Sequence, residues 1–162
     1  MMENLNLQRR KILKGAVSAS TLALVAASGL LLPQRVLAHW PSDAFNAATV
    51  EDALLALLGQ ADIADDSALR FKVGTPPSYA INGASVPIQI QSDLTNIERV
   101  IVLVEKNPLP LVMSLEMTAA CKLPFKSMIK IAEDSPVIAI IRADGKLYKT
   151  SRFVEVDIGG CA

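Results

Sequence analysis

The stretch Val137-Ile138-Ala139-Ile140-Ile141-Arg142-Ala143-Asp144-Gly145-Lys146-Leu147-Tyr148 decides the fold. Val137 to Ile141 is an unbroken apolar run, short enough to be a strand buried on both faces. Asp144-Gly145 then supplies the pair that tight hairpins favour, because both central positions of such a turn need positive φ. The returning strand runs from Lys146 to Ile158. Upstream the periodicity is also two. Leu69-Phe71-Val73, Val86-Ile88-Ile90 and Leu111-Met113-Leu115-Met117 alternate with mostly polar or small neighbours, as half-buried strands do. Val100 to Val104 is a second unbroken apolar run, and Lys126 to Glu133 completes the set. Breaks fall at Pro76-Pro77, Asn82-Gly83 and Asn107-Pro108. Seven or so short strands with turns at regular spacing predict an all-β, immunoglobulin-like antiparallel β-sandwich over residues 67–158.

Ahead of the strands, residues 39–66 read as a helix and a linker. Thr49 can cap a helix to Leu58, with Asp52 at the third position and Gly59 ending it. Val50, Ala53, Leu54, Leu57 and Leu58 form one apolar stripe, which suits packing on the chain's own sheet or on a partner. Asp62, Asp65 and Asp66 lack the glycine and terminal glutamate of a calcium loop, so they read as a solvated linker. Trp40 and Phe45 read as surface packing.

Residues 1–38 read as a targeting segment. Arg9-Arg10 precede Ala16 to Leu32, a 17-residue small and apolar run, and Ala38 is the small residue of a cleavage site. The paired arginines give the twin-arginine form of the signal, and hence periplasmic export. The run is short for a membrane span, so no stable anchor is expected. The whole chain carries 16 Lys/Arg and 16 Asp/Glu; residues 1–38 hold five of the bases and one of the acids, leaving a net charge of −4 after cleavage. That balance argues against nucleic acid or an anionic membrane as partner. About 124 residues remain, enough for one modest core.

At the far end, residues 159–162 follow the last strand as Gly159-Gly160-Cys161-Ala162. Two glycines lend conformational freedom, so the segment reads as a flexible arm carrying a thiol at Cys161. The other cysteine is Cys121, and a Cys121–Cys161 disulfide is open to an exported chain. The tether's flexibility resists such ordering. Asp157 and the terminal carboxylate are negative and disfavour the thiolate, holding it at or above about 8.5. Reactive cysteines sit in electropositive surroundings, so activation would come from another protein's site. His39 is the lone histidine, and one such ligand makes no metal site. No cofactor motif is present.

These features resemble the SoxY family, the sulfur-carrier subunits of bacterial thiosulfate oxidation. The resemblance lies in Arg9-Arg10, Trp40-Pro41, Ala44-Phe45-Asn46-Ala47 and Thr49-Val50-Glu51-Asp52-Ala53. It continues in Val104-Glu105-Lys106-Asn107-Pro108, Gly145-Lys146-Leu147-Tyr148 and the tail Val156-Asp157-Ile158-Gly159-Gly160-Cys161. The family tail usually continues Gly-Gly after the cysteine, where this sequence has Ala162. The resemblance implies a sandwich paired with a SoxZ-like subunit, and a non-catalytic carrier without cofactor whose Cys161 holds sulfur intermediates. It further implies a c-type cytochrome that couples thiosulfate to the thiol, a dimanganese hydrolase that releases sulfate, and a sulfur dehydrogenase acting on the remaining sulfur. It implies no role for Cys121. Two other readings stay open: a thiol sulfurtransferase with Cys161 as nucleophile, and a structural exported sandwich with an incidental cysteine.

Overall fold

Two β-sheets face each other across one core, and the central strands of the larger sheet are the two unbroken apolar runs. The computed structural model describes residues 40–118, 121 and 123–159. The strands are β1 (Leu69–Phe71), β2 (Tyr79–Asn82), β3 (Val86–Ser92), β4 (Ile97–Val104), β5 (Leu111–Glu116), β6 (Phe125–Ile129), β7 (Ser135–Ala143) and β8 (Lys146–Ile158). One sheet has the order β1-β3-β6 and the other β2-β8-β7-β4-β5. All pairings are antiparallel except β2 on β8, which is parallel.

The sandwich core takes alternate residues from each strand. Val100, Val102 and Val104 of β4 meet Val137, Ala139 and Ile141 of β7, and Val86, Ile88 and Ile90 of β3 close it from the other sheet. The intervening residues Ile101, Leu103, Ile138 and Ile140 point the other way and are just as buried. They are covered by two helices, α1 (Ser42–Phe45) and α2 (Val50–Leu58), through Ala44, Ala53 and Leu54. That is why β4 and β7 carry apolar side chains on both faces rather than alternating.

Helix α2 starts and stops where its sequence says. The Thr49 hydroxyl accepts from the Asp52 N–H and donates to the Asp52 carboxylate, and Gly59 closes the helix at φ 75°. Its apolar stripe lies on the chain's own sheet. The Asp144-Gly145 hairpin takes φ 48° and 73° at its two turn residues, and the β7–β8 ladder pairs from Ala143↔Lys146 to Ser135↔Val154.

The differences from the expected layout are local. Val73 lies in a turn and is 91% exposed, so the first strand is shorter than its alternation promised. Helix α1 and strand β2 were not foreseen. The linker is docked rather than free: Asp65 bridges Lys149 of β8, and the Asp66 N–H donates to the Lys149 carbonyl. Among the described residues, no helix is long and apolar enough to cross a membrane.

Candidate functional site

Strand β8 outlasts its antiparallel partner. Its ladder with β7 ends at Val154, and residues 155–158 continue between two other supports. On one side β2 pairs in parallel, with Tyr79↔Glu155, Ala80↔Val156 and Asn82↔Ile158. On the other the Val156 N–H donates to the Asp134 carboxylate at 2.7 Å. The strand end is therefore held, not frayed, up to the point where the glycines begin.

Four segments meet there. The Gly83 N–H donates to the Ile158 carbonyl, and the Gly83 carbonyl accepts from the Ile131 N–H, both at 2.8 Å. The Ala132 N–H donates to Asn107 Oδ1 at 2.8 Å, and Asn107 Nδ2 donates to the Lys130 carbonyl at 3.0 Å. Asn107 is only 8% exposed, and both functions of its amide are used, as a buried amide requires. The Ala132 carbonyl oxygen then occupies the place where a Cβ on Gly159 would stand. Gly159 is thus positioned by the 82–84 turn, the 105–110 loop, the 130–134 loop and β8.

The surroundings are acidic and partly apolar. Glu155 and Asp157 flank the end of β8 on the same face as Tyr79. Partial desolvation of the half-exposed ring, then Asp157 and Glu155 nearby, push the Tyr79 phenol above its ordinary value, so it stays protonated at neutral pH. Ile81 and Phe153 stand exposed on the same face, and Ile158 is exposed at the strand end. On that face Tyr79, Glu155 and Asp157 offer no cation to a thiolate, while Lys106 and Lys130 stand exposed on the loops that carry Asn107 and Ala132. Among the described residues no group of three or more His, Cys, Asp or Glu could hold a metal.

The other cysteine lies at the opposite pole. Cys121 is exposed and free. It lines a 780 Å³ cavity with Glu98, Arg99, Met117, Thr118 and Arg142, at the beginning of β4 and the end of β7. Hydrogen bonding from the Thr118 backbone, then from its hydroxyl, holds the Cys121 thiol below its ordinary value. From Arg142 to Ser135 along β7 is about 23 Å at 3.3 Å per residue, and Gly159 sits beyond Ser135 against Ala132. Two residues past Gly159 add about 7 Å of reach, whereas a disulfide needs Cα atoms within about 7 Å. The Cys121 cavity and Gly159 thus lie toward opposite ends of β7.

Of the residues singled out in the sequence, Gly159 is described; Gly160, Cys161, Arg9, Arg10 and Ala38 lie outside the described residues. Asn107 was read only as part of the Asn107-Pro108 break and of the family-like stretch Val104 to Pro108. Its signal was an Asn-Pro turn after a buried strand, which says that the chain bends but not that the amide is buried.

The family model for sulfur oxidation protein SoxY matches residues 54–161, a span that includes Gly159, Gly160 and Cys161. Among solved structures, the sulfur carrier protein SoxY from Chlorobium limicola f thiosulfatophilum is similar, with 26% identity and a TM-score of 0.58. The match covers 68% of this chain and 97% of that one. An engineered protein matches at 12% identity and a TM-score of 0.42, over 54% of this chain and 19% of its own. Among curated proteins nothing matches.

Proposed function

The chain belongs to the SoxY family of sulfur oxidation proteins, and from that premise we propose that it is a periplasmic sulfur carrier holding its cargo covalently on Cys161. The observation that carries this reading is the family match running through Cys161, at the end of a strand whose last residues are braced on both sides. The carboxylates Glu155 and Asp157 flanking the end of β8 support a thiol activated elsewhere, in the site of a partner enzyme.

The chemistry proceeds in balanced steps. Thiosulfate joins the Cys161 thiol through a new S–S bond, releasing one proton and two electrons to a c-type cytochrome. Water then cleaves the bond between the terminal sulfonate and the outer sulfane sulfur, releasing sulfate and leaving a persulfide on Cys161; a dimanganese hydrolase serves this step. A sulfur dehydrogenase oxidises the sulfur that remains. The carrier supplies no redox group. Its structural partner is a SoxZ-like subunit, and the exposed Tyr79, Ile81 and Phe153 beside the edge strand β2 support association through that face. Export uses Arg9-Arg10 and cleavage after Ala38, with the subunit travelling already bound.

The test is mass analysis of the protein taken from cells oxidising thiosulfate. The C-terminal peptide should carry sulfane and sulfonate additions together with free thiol. Cys161→Ser should remove all of them and stop thiosulfate-dependent electron release, while Cys121→Ser leaves them in place. Adducts that persist in Cys161→Ser overturn the reading.

A further inference from the structure

We propose that Gly159 is a fixed point from which the arm is presented, and that Asn107 is the positioning residue that fixes it. This rests on the carrier reading of Cys161. The sequence makes Gly159 and Gly160 an equivalent pair, two links of one tether. The geometry separates them. Gly159 is not among the glycines with positive φ, which are Gly59, Gly74 and Gly145. Its need for glycine is therefore one of space, not of backbone angle. Any side chain there would put a carbon on the Ala132 carbonyl oxygen.

That oxygen cannot easily retreat, because the Ala132 peptide is held from its other end. Its N–H donates to Asn107 Oδ1, and the same Asn107 amide grips the Lys130 carbonyl. Next to it, Ile131 is tied to Gly83, and Gly83 to Ile158. The closed circuit runs from Ile158 through Gly83, Ile131 and Ala132 back to Gly159, and Asn107 is the side chain that locks it. Thiol presentation to a partner's buried site depends on where the tether starts as well as on its length. An error of about 1 Å in such placement can cost a hundredfold in rate.

The experiment compares Gly159→Ala with Gly160→Ala in the intact chain. It reads amide exchange at Ile131 and Ala132, alkylation of Cys161 by iodoacetamide, and loading of Cys161 from thiosulfate by the c-type cytochrome partner. Gly159→Ala should speed exchange at both amides and lower enzymatic loading by about tenfold, with alkylation within about twofold of the parent. Gly160→Ala should leave the exchange unmoved and keep loading within about threefold. Asn107→Ala should reproduce the Gly159→Ala pattern without touching the tail. The split between a small reagent and a protein partner separates positioning from general loosening of the fold. Equal loading in the two glycine variants, with exchange at Ala132 unchanged, overturns the proposal. Undiminished loading of Cys161→Ser overturns the carrier reading instead, and exchange at Ala132 then decides the role of Gly159 by itself.

Discussion

At the scale of single residues, two side chains matter beyond what their letters announce. Asn107 has its amide oxygen and nitrogen spent on backbone groups 25 and 23 residues away. Asn107→Ala strands one N–H and one carbonyl in a part-buried site and should lower stability by about 2 kcal/mol, read as a shift in the denaturation midpoint. Asn107→Asp keeps the acceptor but loses the donor to Lys130, so it should fall between parent and Ala. None of this was legible beforehand, because an Asn-Pro turn names a bend and the partners come from distant loops. Gly159 was legible as a glycine, but for freedom rather than for closeness. Cys121 makes a second residue-scale case. Thr118 lowers its thiol pKa through the backbone first and the hydroxyl second. Thr118→Val removes only the hydroxyl share, so the pH midpoint for alkylating Cys121 should move up part of the way toward that of a free thiol.

At the scale of elements, legibility follows burial. Strands β4 and β7 were readable because both of their faces are covered, one by the opposing sheet and one by α1 and α2. The result is a continuous apolar run, and Asp144-Gly145 then set where β7 turns into β8. Strand β2 was hidden for the opposite reason. Only Ala80 of its four residues is buried, Ile81 is 71% exposed, and its partner β8 lies more than 70 residues on, in parallel. No hairpin spacing announces such a pair. Helix α2 was readable from its cap, stripe and glycine stop, and its packing on the chain's own sheet makes a firm prediction. Leu54 is 3% exposed in the second cluster, so Leu54→Ala should cost about 3 kcal/mol in stability. The neighbouring Leu55 is half exposed, and Leu55→Ala should cost far less in the same denaturation measurement. The β2 face carries the contrasting case. Ile81→Asp sits outside the core, so it should leave the denaturation midpoint of the carrier alone nearly unchanged while weakening its association with a SoxZ-like subunit, followed by titration.

At the scale of the whole described sandwich, the consequential feature is that Gly159 and Cys121 lie toward opposite ends of the same strands. One pole holds Gly159 at the end of β8, with Asp134, Glu155 and Asp157 along the strand end and exposed Lys106 and Lys130 on the neighbouring loops. The other holds Cys121, whose pKa is lowered, beside Arg99 and Arg142. About 23 Å of β7, paired on both sides, lies between them. Oxidation of the purified protein therefore has different routes available to its two thiols. An intrachain bridge would form at a rate independent of protein concentration, because both ends travel together. A bridge between copies through the exposed Cys121 would depend on concentration. We expect mild oxidation by diamide to give only the second kind, with Cys121→Ser abolishing covalent dimers joined through that residue. Non-reducing peptide mapping across a wide range of dilution measures it directly. A Cys121–Cys161 peptide recovered from monomer at the highest dilution would mean that the two poles can meet, and that β8 leaves the braced position between β2 and Asp134. Absence of that peptide is the outcome the proposed carrier role of Cys161 requires, since thiol–disulfide exchange goes to whichever sulfur is accessible.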